Sequence, residues 1–90
     1  MKVQIDSMKI FSENDRPLPA ALACLNVSLE DQILIRRCIL VDEDGERRVI
    51  PPHGRRAGDC PVLWRRAGTL AQQISAAGIA AYDAMRGGKG

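Results

Sequence analysis

The sequence predicts an α+β fold: an antiparallel β-meander of about four strands followed by one C-terminal helix, assembled as a dimer. Three observations predict it. Apolar and polar residues alternate with a period of two through much of the first 50 positions. Turn residues separate these runs. After Gly68 the apolar spacing changes to threes and fours. Ninety residues form one domain, 1–90. A chain this short buries only about 60–65% of the surface its unfolded form exposes, so its core is thin and a second copy is one way to enlarge it.

The first strand spans about 3–11, "VQIDSMKIF". Val3 and Ile5 share one parity and Met8 and Ile10 the other, so a bulge or twist is expected near Asp6-Ser7. The polar, proline-containing "SENDRPLP" is a loop. The second strand, about 20–29, places Ala21, Ala23, Leu25, Val27 and Leu29 on one face, and Glu30-Asp31 can make a short turn. The third, about 32–41, is apolar on both parities: Ile33, Ile35, Ile39 and Val41 against Leu34, Cys38 and Leu40. Such a run is expected to be central and covered on both faces. "DEDGE" is a hairpin turn centred on Asp44-Gly45. A short strand, about 46–51, then ends at Pro51-Pro52.

The helix is expected over about 70–86. Thr69 with Gln72 fits a capping box, Gly87-Gly88 ends the helix, and Leu70, Ile74, Ala77, Ala81 and Met85 form its apolar stripe. Gly78 costs a helix about 1 kcal/mol against alanine, a cost that a close backbone contact would explain. One helix cannot cover both faces of the sheet. A two-fold dimer is therefore expected, made by sheet edges or by the helix stripe packing across the axis.

The formal net charge of +2 hides an asymmetry. Nine of the eleven acids lie at or before Glu46, whereas residues 47–66 carry six arginines and one acid, Asp59. Arg47, Arg48, Arg55, Arg56, Arg65 and Arg66 are the candidate site. Arginine offers a planar fork that matches phosphate or carboxylate bidentately. In a regular strand neighbouring side chains face opposite sides, so Arg36 and Arg37 cannot share a patch, nor can Arg47 and Arg48. Arg55-Arg56 and Arg65-Arg66 fall in loop and are freer to converge. Gly54 and Gly58 permit close approach there, and Trp64 is either a core anchor or a stacking platform.

Little else suggests chemistry. His53 is the one histidine, and Cys24, Cys38 and Cys60 are an odd number at wide spacing, so no metal site, cofactor or catalytic residue is expected. A thiol role for Cys60 beside His53 is a remote alternative. No signal-peptide pattern opens the chain and no apolar run approaches the ~20 residues of a membrane span, which makes a cytoplasmic protein the expectation. No small-molecule substrate is implied. The charges suit nucleic acid, DNA or RNA. They also suit a protein-interaction or structural module whose arginines meet an acidic partner or the "DEDGE" turn of another copy.

The order "VQIDSMKIF", "AALACLNVSL", "ILIRRCILV", "GERRVIPPHGRR", "DCPV" and a helix ending near "AAYDAM" resembles the SpoVG (stage V sporulation protein G, septation protein) family over roughly residues 3–85. The resemblance implies a small α+β dimer formed through strand exchange at a sheet edge, with site-binding to DNA or RNA in bacterial gene regulation. In that family the basic residues after an apolar-Pro step contact nucleic acid. Here "IPPHGRR" holds that position, so the role falls to Arg55 and Arg56, and more loosely to Arg65-Arg66. His53 and Gly54 lengthen the step, and the first strand is less basic than the family pattern.

Overall fold

The computed structural model describes residues 1–52 and 64–87. Four strands, β1 (Val3–Ile10), β2 (Ala21–Leu29), β3 (Ile33–Glu43) and β4 (Glu46–Ile50), form one antiparallel sheet in sequence order. Helix α1 (Thr69–Gly87) packs across one face of it. The α+β meander expected from the sequence is therefore the observed fold. The helix is not long and apolar enough to cross a membrane.

Two hairpin turns set the sheet. Asp44 and Gly45 have φ of 56° and 85°, the left-handed pair that a two-residue turn needs and that Asp-Gly accepts readily. Glu30 and Asp31 adopt the same geometry, at 55° and 57°, without glycine. Left-handed backbone costs a residue with a Cβ roughly 1–2 kcal/mol. The turn is held from outside: the Glu30 N–H donates to the Lys2 carbonyl (2.8 Å), and Lys2 Nζ reaches Asp31 Oδ2 (2.7 Å).

Bulges decide which residues face the helix. Ile5 pairs with Val27 and Ser7 with Asn26, leaving Asp6 as the extra residue. That bulge, expected from the phase shift, lets Val3, Ile5, Met8 and Ile10 all pack on the helix-side core. Strand β3 contains a second. Ile35 pairs with Val27 and Cys38 with Leu25, so Arg36 and Arg37 stand against Asn26 alone. Ile35, Cys38 and Leu40 then join the helix-side core, while Ile39 and Val41 face the other way.

The both-parity run is thus covered differently from expectation. On the face away from α1, Phe11, Ala20 and Ile50 of the same chain pack on Ala21, Ile39 and Val41. Ile33 and Leu34, in contrast, are 57% and 48% exposed. They lie beyond the reach of β4, which pairs only with Ile39–Glu43.

Helix α1 is turned slightly from its expected stripe. Ala71, Ile74, Gly78 and Tyr82 form its buried line. Met85, expected in the stripe, is 49% exposed. The cause is close approach at Gly78, where an added Cβ would lie 2.6 Å from Val49 Cγ2 and 3.3 Å from Leu25 Cδ1. The helix backbone rests on the sheet there, and Tyr82, one turn on, fills the space that results. The capping box is also corrected. The Gln72 N–H donates to the Gly68 carbonyl (3.2 Å), which makes Gly68 the N-cap residue and Thr69 the first residue of the helix. Trp64 packs half-buried against the helix-side core, as a core anchor does.

Candidate nucleic-acid interface

Strand periodicity sends Arg47 and Arg48 to opposite sides of β4, as expected. Arg47 shares the helix side with Val49. Its guanidinium meets Asp42 (3.3 Å) and Asp83 on the helix (3.2 Å) and lies 5.5 Å from the centre of the Tyr82 ring. Arg86 covers the same ring at 5.6 Å and donates to the Tyr82 hydroxyl (2.7 Å). The near-buried tyrosine is therefore gripped by two cations, each contact worth about 0.5–1 kcal/mol at such a site. Arg48 points the other way and pairs with Glu43 at 2.6 Å.

Both arginines reach a groove of about 440 Å³ between β4 and the first half of α1, whose lining includes Arg66, Gln72 and Ser75. A pocket of about 110 Å³ shares Arg48 and Arg66 and adds Ile50, Pro51 and Trp64. Helix packing creates this groove and also protects the sheet edge. The Val49 N–H, which faces out from the last strand, donates to Ser75 Oγ (3.0 Å). The first turn of α1 carries no acid, so its positive dipole end adds to the field of Arg66.

Arg47, Arg48 and Arg66 thus come together, and each has a carboxylate. Arg66 lies 3.9 Å from Glu46, both well exposed, a pair worth little. Arg65 is exposed, and its carbonyl accepts from the Gly68 N–H (3.0 Å). Arg55 and Arg56 lie outside the described residues, as do His53 and Cys60. Their segment follows Pro52 and precedes Trp64, and the neighbouring Pro51 and Trp64 both line the smaller pocket.

Sequence periodicity missed Arg36 and Arg37, because it treated β3 as regular. The bulge leaves both exposed, with neither in the core. Arg37 has φ of 64°, and its N–H donates to Asn26 Oδ1 (3.2 Å). The signal was present in the apolar run itself. A strand apolar on both parities can be one whose parity switches at a bulge, as the first strand does at Asp6.

Cysteine chemistry finds no support in the described part. Cys24 and Cys38 are free thiols. Burial, helped by the neighbouring Cys24, pushes the Cys38 thiol up to about 12, which keeps it protonated and inert. Among the described residues no three His, Cys, Asp or Glu side chains come together as a metal site. The chain matches no protein-family model, no curated protein and no solved structure.

Proposed function

We propose that this chain is a small nucleic-acid-binding protein, cytoplasmic and dimeric, that grips phosphates through the arginine edge of its sheet. One observation carries the reading. Arg48, Arg66 and the two flanks of the segment bearing Arg55 and Arg56 meet at one groove. Three arginines of the six-arginine stretch, Arg47, Arg48 and Arg66, line this groove. The resemblance to SpoVG proteins supports the same reading.

Binding on this edge is an exchange. Asp42, Glu43 and Glu46 already pair with Arg47, Arg48 and Arg66, so a phosphate chain entering the groove must displace carboxylates. Affinity then depends steeply on salt, with a slope near −0.9 per duplex phosphate neutralised. Titration of labelled DNA and RNA, duplex and single-stranded, from low to physiological salt tests the reading. Absence of binding at low salt overturns it.

The dimer in this reading is formed by sheet edges. The alternative route through the helix stripe is taken up within the chain, because Ile74 is buried and Leu70 packs against the helix-side core. Ile33 and Leu34 remain exposed at the end of β3, where a second copy would cover them. Sedimentation as a stable monomer at micromolar concentration overturns this part.

One observation favours a second reading, an interaction module for acidic protein surfaces. The groove arginines are satisfied by side-chain carboxylates of the β3–β4 hairpin, and the same hairpin of another copy offers the same groups. Salt-sensitive oligomer growth that ignores added DNA would support it.

A further inference from the structure

We propose that the bulge of β3 is a second phosphate-contacting surface. Arg36 and Arg37, assisted by Lys9 on the helix-free side of the sheet, would hold a nucleic-acid backbone beside the arginine edge. This rests on the nucleic-acid reading and extends it to residues outside the groove.

The bulge gives the geometry. Two arginines face the single Asn26, and Ile35 and Cys38 on either side take the core positions. Both arginines are therefore turned out at one point of the sheet. Lys9 lies between Met8 and Ile10, which pack on the helix side, and is exposed on the opposite face, opposite Cys24. The backbone pays a conformational cost for this arrangement. Arg37 is in the left-handed region, which disfavours a residue with a Cβ, and the Asn26 amide oxygen holds it there.

Charge separates these residues from the edge. Among the described residues no carboxylate lies within ion-pair distance of Lys9, Arg36 or Arg37, whereas Arg47, Arg48 and Arg66 each have one. Asp6, the acid nearest in the sheet register, accepts a hydrogen bond from the Ser28 hydroxyl (2.5 Å). A ligand phosphate would meet guanidiniums here without displacing a described acid.

Position points to the same occupant as the edge. Ile39 pairs with Ile50, the last residue of β4. Arg37 lies two residues before Ile39 in β3, next to the point where β4 ends. A phosphate chain bound at the edge would continue onto the bulge. Such contacts position a backbone and carry no base sequence.

The test is a salt titration of the full chain with a labelled random-sequence DNA duplex, comparing wild type with Arg36→Gln/Arg37→Gln. The double variant should reduce the salt slope by about 1.8, two contacts at about 0.9 each. Arg36→Lys/Arg37→Lys, which keeps both charges, should retain the slope. Thermal melting establishes that both variants fold. A wild type that binds, with the glutamine variant unchanged in slope, overturns this proposal and leaves the edge reading standing. A wild type that binds neither the duplex nor its single strand at low salt overturns both. Polyglutamate binding lost in the glutamine variant while DNA binding persists also overturns it, and assigns the bulge to an acidic protein.

Discussion

Arg47 and Arg48 sit on regular strand, one to each side, and each reaches a carboxylate within 3.3 Å. Arg36 and Arg37 sit on a bulge, both exposed, with no acid of the described chain within ion-pair distance. The residue type is the same and the circumstances differ. At the β4 edge arginine helps to hold a hairpin and a helix together, and its charge is largely spent within the fold. At the bulge the backbone takes the left-handed conformation at Arg37, and neither arginine pairs with an acid among the described residues. Counting arginines along the sequence gave weight to the first group, but local pairing determines which charges are available to a ligand.

The comparison can be broken first at the packing that supports the edge. Gly78→Ala gains about 1 kcal/mol of helix propensity but drives a methyl group into Val49 Cγ2. Valine is stiff, and overpacking costs up to about 3 kcal/mol, so a net loss of about 2 kcal/mol is expected in urea unfolding. Val49→Ala added to it should recover part of that loss, because it removes the colliding atom. A Gly78→Ala protein as stable as wild type would mean that helix and β4 are not held this closely.

A pH experiment examines the bulge from its inner side. The extra residue is what turns Cys38 into the core. Its thiol is raised from 9.0 to about 12 in the folded protein. Below pH 9 the thiol is protonated in both states. As pH rises above 9 the unfolded thiol ionises and the folded one does not, so stability is lost up to about pH 12. Relative to Cys38→Val, wild type should lose about 1.4 kcal/mol by pH 10. Parallel pH profiles for the two proteins would place the thiol outside the core.

The arginines themselves give the finest contrast, one of opposite signs. Arg48→Gln breaks the Glu43 pair, in which Arg48 is only 24% exposed, and should destabilise by up to about 1 kcal/mol. Arg37→Asn keeps the bulge with a residue that tolerates left-handed backbone and should stabilise by about 0.5 kcal/mol. Chemical denaturation measures both. Equal signs would erase the distinction between a structural arginine and a presented one.

Much of the fold could be read from residue order, because its devices are local. The phase shift at Asp6, the even alternation of β2, the Asp44-Gly45 turn and the cost of Gly78 each have a short-range signature. The misses involve partners far apart in sequence. Nothing near Arg47 announces Asp83 on the helix, and nothing near Thr69 shows that Gly68 supplies the first helical acceptor. The helix stripe was displaced by its contact with Val49 and Leu25, which no period within the helix encodes. For the site, the doublets at 47–48 and 65–66 were legible as charge, but their pairing was not. The bulge arginines were hidden by the assumption of regular pleating, although the double-parity run beside them carried the information.

The Glu30-Asp31 turn has a consequence for the order in which the chain assembles. The β3–β4 hairpin is closed by residues that favour its turn, so it can form early from its own sequence. The β2–β3 hairpin is closed by two residues that resist theirs, and its anchor is Lys2 at the far end of the chain. It becomes secure only when β1 arrives, which makes docking of the N-terminal strand the late, locking event of folding. Trimming the first two residues should therefore speed unfolding far more than it slows refolding, as expected for contacts formed after the transition state.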